Sequence, residues 1–265
     1  MIGVIPAAGK GTRIGNFCER YPKAIIPFKG KPIIIYNIES LLFAGCKKVV
    51  IVVNYRSSYI RAAVKHFLSK EKASKCEFVY QEKLNGTAMA VKIALLNTVN
   101  KDHLHEYRDQ EVLMIFGDLI FSGHSFINDY FKKKLYGERH NFVSGQVVQD
   151  YERWVMIKAN PMYFVESYIN KPKERPDTNI AWSGIFYVRS AMDLLFDMIN
   201  YMPTDSFLKK EMCISDILKM GGKTKVLFPS ILDFGTYEDC VKLIDIEEAI
   251  SFTEEWVEQS ITDNS

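Results

Sequence analysis

Gly3-Val4-Ile5-Pro6-Ala7-Ala8-Gly9-Lys10-Gly11-Thr12-Arg13, followed by Tyr21-Pro22-Lys23, is the stretch from which the rest of this chain can be read. An apolar run, Met1–Pro6, has the character of a buried strand and feeds a glycine-rich turn that carries Lys10 and Arg13. A third cation, Lys23, returns ten residues after Arg13. Glycines let a backbone approach a ligand closely and take up positive φ, so successive N–H groups can cradle phosphate oxygens. Cations fixed around such a loop neutralise a triphosphate, which points to transfer or cleavage of phosphoryl groups. Lys10 by itself reads as a solvated surface cation.

Two familiar phosphate loops do not fit. A Walker A loop has Gly-x4-Gly-Lys-Ser/Thr, and here Lys10 precedes the second glycine. A dinucleotide fold would use Gly9, Gly11 and Gly15 as a loose Gly-x-Gly-x3-Gly and place an acid after the second strand to hold a ribose. The expected second strand, Val49–Val53, is followed by Asn54-Tyr55-Arg56, with no acid.

A chain of 265 residues suits one large α/β domain, and 48% apolar content is ample for its core. The net charge of +2 mixes acids and bases, so no global field directs the chain to nucleic acid or an anionic membrane. Lys132-Lys133-Lys134 reads as a solvated helix face. No stretch reaches the ~20 apolar residues of a membrane span, and the apolar N-terminal run has no charged region before it, unlike a signal peptide. The five cysteines (18, 46, 76, 213, 240) are scattered and never spaced Cys-x-x-Cys. That argues for reduced thiols, a cytoplasmic location and no zinc site. His103 and His105 read as surface residues.

The first half alternates strand and helix. Strands are expected at Gly3–Pro6, Val49–Val53, Glu77–Gln81 and Val112–Phe116, and helices at Ile33–Ala44, Ser58–Leu68 and Thr87–Asn97. Pro32 suits the start of the first of these helices and Gly45 its end. Continuous apolar strands between helices imply a mostly parallel, Rossmann-like sheet covered by helices on both faces. Ligands then collect at the carboxyl ends of the strands, where the glycine loop, Gln81 and Asp118 all fall. The second half changes to strand-like segments at Phe142–Val148, Trp154–Lys158, Tyr163–Tyr168 and Ala181–Val188, an antiparallel or mixed extension. Helices are expected at Ala191–Met202, Ser206–Met220, Glu238–Ile250 and Phe252–Glu258, with a strand at Lys225–Phe228. The whole chain, 1–265, reads as one domain.

Three further groups carry chemistry. The amide of Gln81, in Gln81-Glu82-Lys83-Leu84-Asn85-Gly86-Thr87-Ala88, offers a donor and an acceptor, which suits the imide edge of a pyrimidine, and Gly86 leaves room for the base. Thr87 reads equally as a ligand residue or a helix N-cap. Asp118 in Phe-Gly-Asp-Leu and Asp233 in Leu-Asp-Phe-Gly-Thr are distant loop carboxylates that can converge on Mg²⁺, an ion that takes few carboxylates and completes its shell with phosphate oxygens and water. Asp233 also reads as a cap or turn residue before the following helix.

Taken together, Gly-x-Gly-Thr-Arg, Pro-Lys and these motifs resemble the sugar-1-phosphate nucleotidyltransferases, over about residues 2–245. The resemblance implies that Ala8, Gly9, Gly11 and Thr12 bind the nucleotide and that Arg13 holds the triphosphate. It places Lys23 at the α-phosphate, makes Gln81, Gly86 and Thr87 the base site, and gives Asp118 and Asp233 the metal. Gly86-Thr87-Ala88-Met89-Ala90 is more similar to uridylyl than to thymidylyl members. Asn170-Lys171-Pro172 stands where similar enzymes have Glu-Lys-Pro, so Lys171 would hold the acceptor phosphate beside Asn170. Asp150-Tyr151-Glu152-Arg153-Trp154-Val155 resembles Asp-Pro-x-Arg-Tyr-Gly, with Val155 replacing the glycine. Asn179, Gly184 and Tyr187 would line the acceptor pocket; Trp182 reads equally as core or as sugar platform.

The implied organisation is a nucleotide-binding part at 1–140, an acceptor-binding part at 141–235 and C-terminal helices at 236–265. The implied reaction is Mg²⁺-assisted transfer from a pyrimidine nucleoside triphosphate to a sugar 1-phosphate, releasing pyrophosphate. The implied partners are these small molecules, with no nucleic acid or membrane and with room for a homo-oligomer. Two other readings stay open. One is a cytidylyltransferase acting on a phospho-alcohol or another small phosphate, which the departures at Asn170 and Val155 would suit; the other is a nucleotide-sensing subunit without turnover. No hexapeptide repeat follows the catalytic region, so an appended left-handed helix with acyltransferase activity is not expected.

Overall fold

A computed structural model of the chain describes residues 1–54, 56–98, 110–121, 140–200, 213–218, 224–229, 231–234 and 236–262. Lys132-Lys133-Lys134, His103, His105 and much of the expected Ser206–Met220 helix lie outside the described residues. The strands in chain order are β1 (Ile2–Pro6), β2 (Pro27–Phe28), β3 (Lys31–Pro32), β4 (Lys48–Val53), β5 (Cys76–Tyr80), β6 (Val112–Ile115), β7 (Leu119–Phe121), β8 (Asn141–Val147), β9 (Val155–Ala159), β10 (Val165–Asn170), β11 (Ile180–Val188), β12 (Thr224–Leu227) and β13 (Ile231–Asp233). The helices are α1 (Asn16–Arg20), α2 (Ile33–Phe43), α3 (Ser57–Phe67), α4 (Lys70–Ser74), α5 (Thr87–Thr98), α6 (Ala191–Asn200), α7 (Ile214–Leu218), α8 (Tyr237–Val241) and α9 (Ile246–Thr262).

Strand β1 lies between β4 and β6, parallel to both, and β5 adds parallel to β4. This is the parallel sheet that the alternating first half predicts. Side chains alternate across it. Ile5, Val49, Ile51, Val53, Leu113 and Ile115 pack on one side with α2, α3 and α9. Val4, Val50, Val52, Val112 and Met114 pack on the other with α5, α6 and α7. Burying each such Val or Ile contributes about 1.5–3 kcal/mol, and burial on both faces explains why these strands read as unbroken apolar runs. Pro32 precedes α2, whose end is closed by the Gly45 and Cys46 N–H groups donating to Leu42 and Leu41 carbonyls.

The extension begins where β11 adds antiparallel to β6. Its far edge pairs with β8, which pairs with β12 in parallel, and its first residues reach β9, which carries β10. The register with β8 is interrupted between Trp182 and Phe186. There the Ser144 hydroxyl accepts from the Ile185 N–H at 3.0 Å and the Trp182 indole donates to the Ile185 carbonyl at 2.8 Å. The interruption therefore leaves those groups satisfied.

At the C-terminal end the two expected helices are redistributed. α8 stops at Val241, and α9 runs without a break across the expected gap. Asp245 is the reason: its Oδ1 accepts from the Glu247 and Glu248 N–H groups at 2.8 and 3.0 Å, capping α9 one turn after α8 has ended. Among the described residues no helix is long and apolar enough to cross a membrane.

Candidate active site

The carboxyl ends of β1, β5 and β6, the start of β11 and the end of β10 surround a cleft of ≈ 610 Å³, within the range of small-molecule sites. The loop after β1 contributes Ala8, Gly9, Gly11, Thr12 and Arg13, followed by Lys23; β5 is followed by Gln81, Gly86 and Thr87; β6 leads into Asp118. Asn170, Lys171 and Gly184 close the opposite side, and Asp233 joins from β13. All but two of the sequence-predicted site residues, Asn179 and Tyr187, thus meet in one cleft.

The phosphate-type loop is held from below. Gly11 has φ of 66°, and a Cβ there would stand 2.7 Å from Cys18 Sγ and 3.1 Å from Lys23 Cβ. Gly9 differs: a Cβ on it would meet nothing within 4 Å, so the fold makes no steric demand on that glycine. Burial pushes the Cys18 thiol up to about 11, against the charges of Lys23 and Arg56. It is a neutral packing group beneath the loop. Thr12 and Arg13 are exposed at the mouth.

Lys23 Nζ lies 2.5 Å from Asp118 Oδ2. Burial alone would raise the Asp118 carboxyl, but the Lys23 charge and hydrogen bond, helped by its own backbone N–H and by Arg13, hold it below the usual value. Asp233 is brought alongside by the pairing of β13 with β7, where it sits opposite Leu119, and the Phe234 N–H donates to the Asp118 carbonyl. Burial first, and the nearby Asp118 charge second, push Asp233 up to about 6. This donor set suits a magnesium ion: two neighbouring carboxylates, one deficient in cationic partners, open to a cleft that takes phosphate oxygens. Among the described residues there is no cluster of three or more His, Cys, Asp or Glu, so the protein ligands there would be these two.

At the end of β5, Gln81 is 3% exposed. Its amide reaches the Asn85 side chain at 3.4 Å and the Gly86 carbonyl at 3.5 Å, so the strand end and the glycine form one wall. Thr87 follows neither expectation fully. It lines the cleft, and its hydroxyl accepts from the Ile214 N–H at 3.2 Å, tying α5 to α7. Leu84, on the same rim, is apolar and 38% exposed.

Across the cleft, Gly184 has φ of 92°, and a Cβ there would stand 2.5 Å from Phe116 Cδ2. The Phe116 N–H donates to the Gly184 carbonyl, so this glycine allows β11 to press against the turn that carries Asp118. Trp182 serves as both core and wall: it is 6% exposed, packs on Phe116 with ring centroids 5.2 Å apart, and lines the cleft. Arg153 is spanned by Asp150 at 3.1 Å and Asp239 at 2.8 Å, which joins the 150–154 turn to α8.

Tyr187 is a correction. Because β11 runs antiparallel to β6, it enters at the rim and leaves at the opposite end, where Tyr187 pairs with Leu113. Its ring is buried in the core and its hydroxyl donates to Glu111 Oε1 at 2.5 Å, away from the cleft. Asn179 also does not line the cleft; its carbonyl accepts from the Val148 N–H.

Sequence reasoning passed over three cleft residues, Ser183, Cys213 and Ser215, and also the buried Asn37 behind the cleft wall, whose amide donates to the Phe116 carbonyl at 3.1 Å. Ser183 neighbours the singled-out Gly184, and a small polar residue beside a strand glycine was the available signal. Ser215 and Asn37 lie within helices, where nothing in the sequence marks which face meets the cleft and which the core.

Comparison with known proteins bears on the family and the fold. A family model described as nucleotidyl transferase matches residues 2–248. The UTP–glucose-1-phosphate uridylyltransferase AglF of Haloferax volcanii is 28% identical over 188 residues, 70% of this chain and 71% of that protein. A bifunctional sugar-1-phosphate nucleotidylyltransferase/acetyltransferase of Sulfurisphaera tokodaii is 26% identical over 76% of this chain, but the match spans only 44% of that longer protein. Among solved structures, UDP-glucose pyrophosphorylase complexed with UDP-glucose shares the fold with a TM-score of 0.71 at 18% identity, covering 97% of this chain and 98% of that one. A glucose-1-phosphate thymidylyltransferase, described as putative, from Bacillus anthracis gives 0.71 at 20% identity over 96% and 95% of the two chains. The chain belongs to the nucleotidyl transferase family.

Proposed function

We propose that the protein transfers a nucleotidyl group from a pyrimidine nucleoside triphosphate to a sugar 1-phosphate. The observation that carries this reading is the convergence of Arg13, Lys23, Asp118, Asp233 and Lys171 on one cleft beside the buried Gln81 amide. An acceptor phosphate oxygen forms the new P–O bond at the α-phosphorus, and the bond to pyrophosphate breaks. Lys171 holds the acceptor phosphate, while the loop backbone and Arg13 hold the β- and γ-phosphates. Lys23 stabilises the charge spreading over the transferring phosphorus. Gln81 and the Gly86 backbone read the imide edge of the base, in a pocket too buried to leave a mismatched amide solvated. Asp118 and Asp233 would hold Mg²⁺, which when bound supplies further neutralisation of the phosphates.

The test is pyrophosphate release in the presence of Mg²⁺, over UTP, dTTP, CTP, ATP and GTP against sugar 1-phosphates and phospho-alcohols, with Asp118→Ala as the blank. A pyrimidine triphosphate with a sugar 1-phosphate should stand well above the blank. A purine donor, a phospho-alcohol acceptor, or binding without turnover would each replace this reading.

A further inference from the structure

The turn that carries Asp118 is held from behind by a side chain outside the cleft. Phe116 and Gly117 share one peptide unit, and that unit is tied at both ends. Its carbonyl accepts from Asn37 Nδ2 at 3.1 Å, and its N–H donates to the Pro6 carbonyl at 3.3 Å. The adjoining groups are tied as well: the Phe116 N–H donates to the Gly184 carbonyl, and the Asp118 carbonyl accepts from the Phe234 N–H. Three of these four bonds run between main-chain groups, on β1, on β11 and just after β13. The fourth comes from a side chain in the middle of α2.

Stability does not account for an asparagine at that place. Asn37 is fully buried, on a helix whose other buried residues include Ile33, Ile34, Ile35, Ile38 and Leu41. Its amide makes the bond to Phe116, but its Oδ1 is buried with no hydrogen-bond partner among the described residues. The penalty of an orphaned buried acceptor at least matches the net gain of one ordinary hydrogen bond. A leucine would fill similar space in these apolar surroundings without an orphan on its side chain. What the amide supplies, and leucine does not, is a fixed location for the Phe116 carbonyl. The Leu119 N–H also reaches that carbonyl, at 3.4 Å, but it belongs to the same turn and moves with it. Gly117 is pressed against β1: a Cβ on it would stand 3.2 Å from the Pro6 carbonyl oxygen. With its N–H on β1 and its carbonyl on α2, the peptide plane is fixed on two sides. Asp118, the next residue, is thereby held with Oδ2 2.5 Å from Lys23 Nζ.

We infer that Asn37 is a positioning residue for Asp118: from the core side of α2 it fixes the peptide that aims this carboxylate into the cleft, and turnover depends on that amide. The effect on turnover rests on the transferase reading proposed above; the anchoring of the turn does not.

The test compares the full-length parent with Asn37→Leu, and with Asn37→Ser should the leucine variant not fold, well below the melting temperature of each. In pyrophosphate release, kcat should fall about 10- to 100-fold, as for a displacement near an ångström, while KM for triphosphate and for acceptor stays within about threefold of the parent. In the metal-free protein, amide hydrogen exchange at Gly117 and Leu119 should be about tenfold faster, with Leu113 and Met114 of β6 unchanged. An unchanged kcat would overturn the inference. So would a loss confined to KM, a fall in kcat without faster exchange at the turn, or faster exchange throughout β6, which marks general loosening. If the parent turns over no donor–acceptor pair, the transferase reading fails, and exchange at Gly117 and Leu119 alone then decides whether Asn37 anchors the turn.

Discussion

The Lys23 ammonium stands 2.5 Å from Asp118 Oδ2, so the cation assigned to the reacting phosphorus rests on a carboxylate assigned to the metal. The two charges stabilise one another before any substrate arrives. The Asp118 pKa is lowered, so its contribution to stability is present above its ordinary value, 3.8, and disappears as pH falls through the lower folded value.

Lys23→Met should therefore do two separable things. It removes transition-state stabilisation, lowering kcat by about 10²–10³. It also leaves Asp118 without its principal cation, destabilising the protein by about 1–3 kcal/mol at pH 7. Pyrophosphate release and denaturant unfolding read the two effects independently. A destabilised variant that retains full kcat would remove Lys23 from the chemistry.

Asp233 has the opposite sign. Its carboxyl is raised from 3.8 to about 6, so the folded protein binds that proton more tightly than the unfolded chain. Above about pH 6 both states are ionised and the folded one bears the full penalty; stability is regained as pH falls from 6 towards 3.8. Asp233→Asn should raise stability at pH 8 by up to about 3 kcal/mol and make little difference near pH 4, while abolishing turnover. Melting temperatures at the two pH values check this. A variant destabilised at pH 8 would show that Asp233 is already satisfied.

The two loop glycines make a discriminating pair. At Gly11, φ of 66° and a Cys18 sulfur 2.7 Å from the added Cβ mean that Gly11→Ala should destabilise by about 1–3 kcal/mol. It should also displace Lys23. Gly9→Ala meets nothing within 4 Å and should melt like the parent. Any rise in its KM for the triphosphate, tenfold or more, then reports backbone approach of a phosphate at that position. If Gly9→Ala binds and turns over normally, the cradle does not include Gly9.

Gly9 also shows how far the sequence was legible. The strand-plus-loop pattern placed the glycine loop, Gln81 and Asp118 at one rim, because each follows an apolar run at a strand end, whereas Asp233 stood out by its Leu-Asp-Phe-Gly-Thr motif alone. The parallel sheet was readable for the same reason: strands buried on both faces have no polar alternation to confuse them. What escaped was set by long-range geometry. Asp233 reaches Asp118 only through pairing of the short β13 and β7, segments too brief for a periodic signal. The helix break before α9 escaped because Asp245 interrupts an otherwise helical run with a cap that continues it. Tyr187 was misplaced because its motif fixed the strand but not its direction relative to β6.

The last case gives a test within one strand. Gly184 and Tyr187 are both on β11, and the antiparallel pairing puts the first at the cleft and the second at the far end of the sheet. Tyr187→Phe loses the hydroxyl's bond to Glu111 and should destabilise by about 1–2 kcal/mol, with acceptor KM and kcat unchanged. Gly184→Ala forces φ of 92° on a residue with a Cβ, 2.5 Å from Phe116, in the turn that leads to Asp118. Overpacking of that kind amounts to about 1–3 kcal/mol or more. Here kcat should fall with stability, because relief of the clash moves Phe116 and hence the carboxylate two residues on. Unfolding curves and initial rates on the two variants separate these outcomes. A Tyr187→Phe variant with acceptor KM raised several-fold would put the tyrosine back at the site and contradict the strand direction.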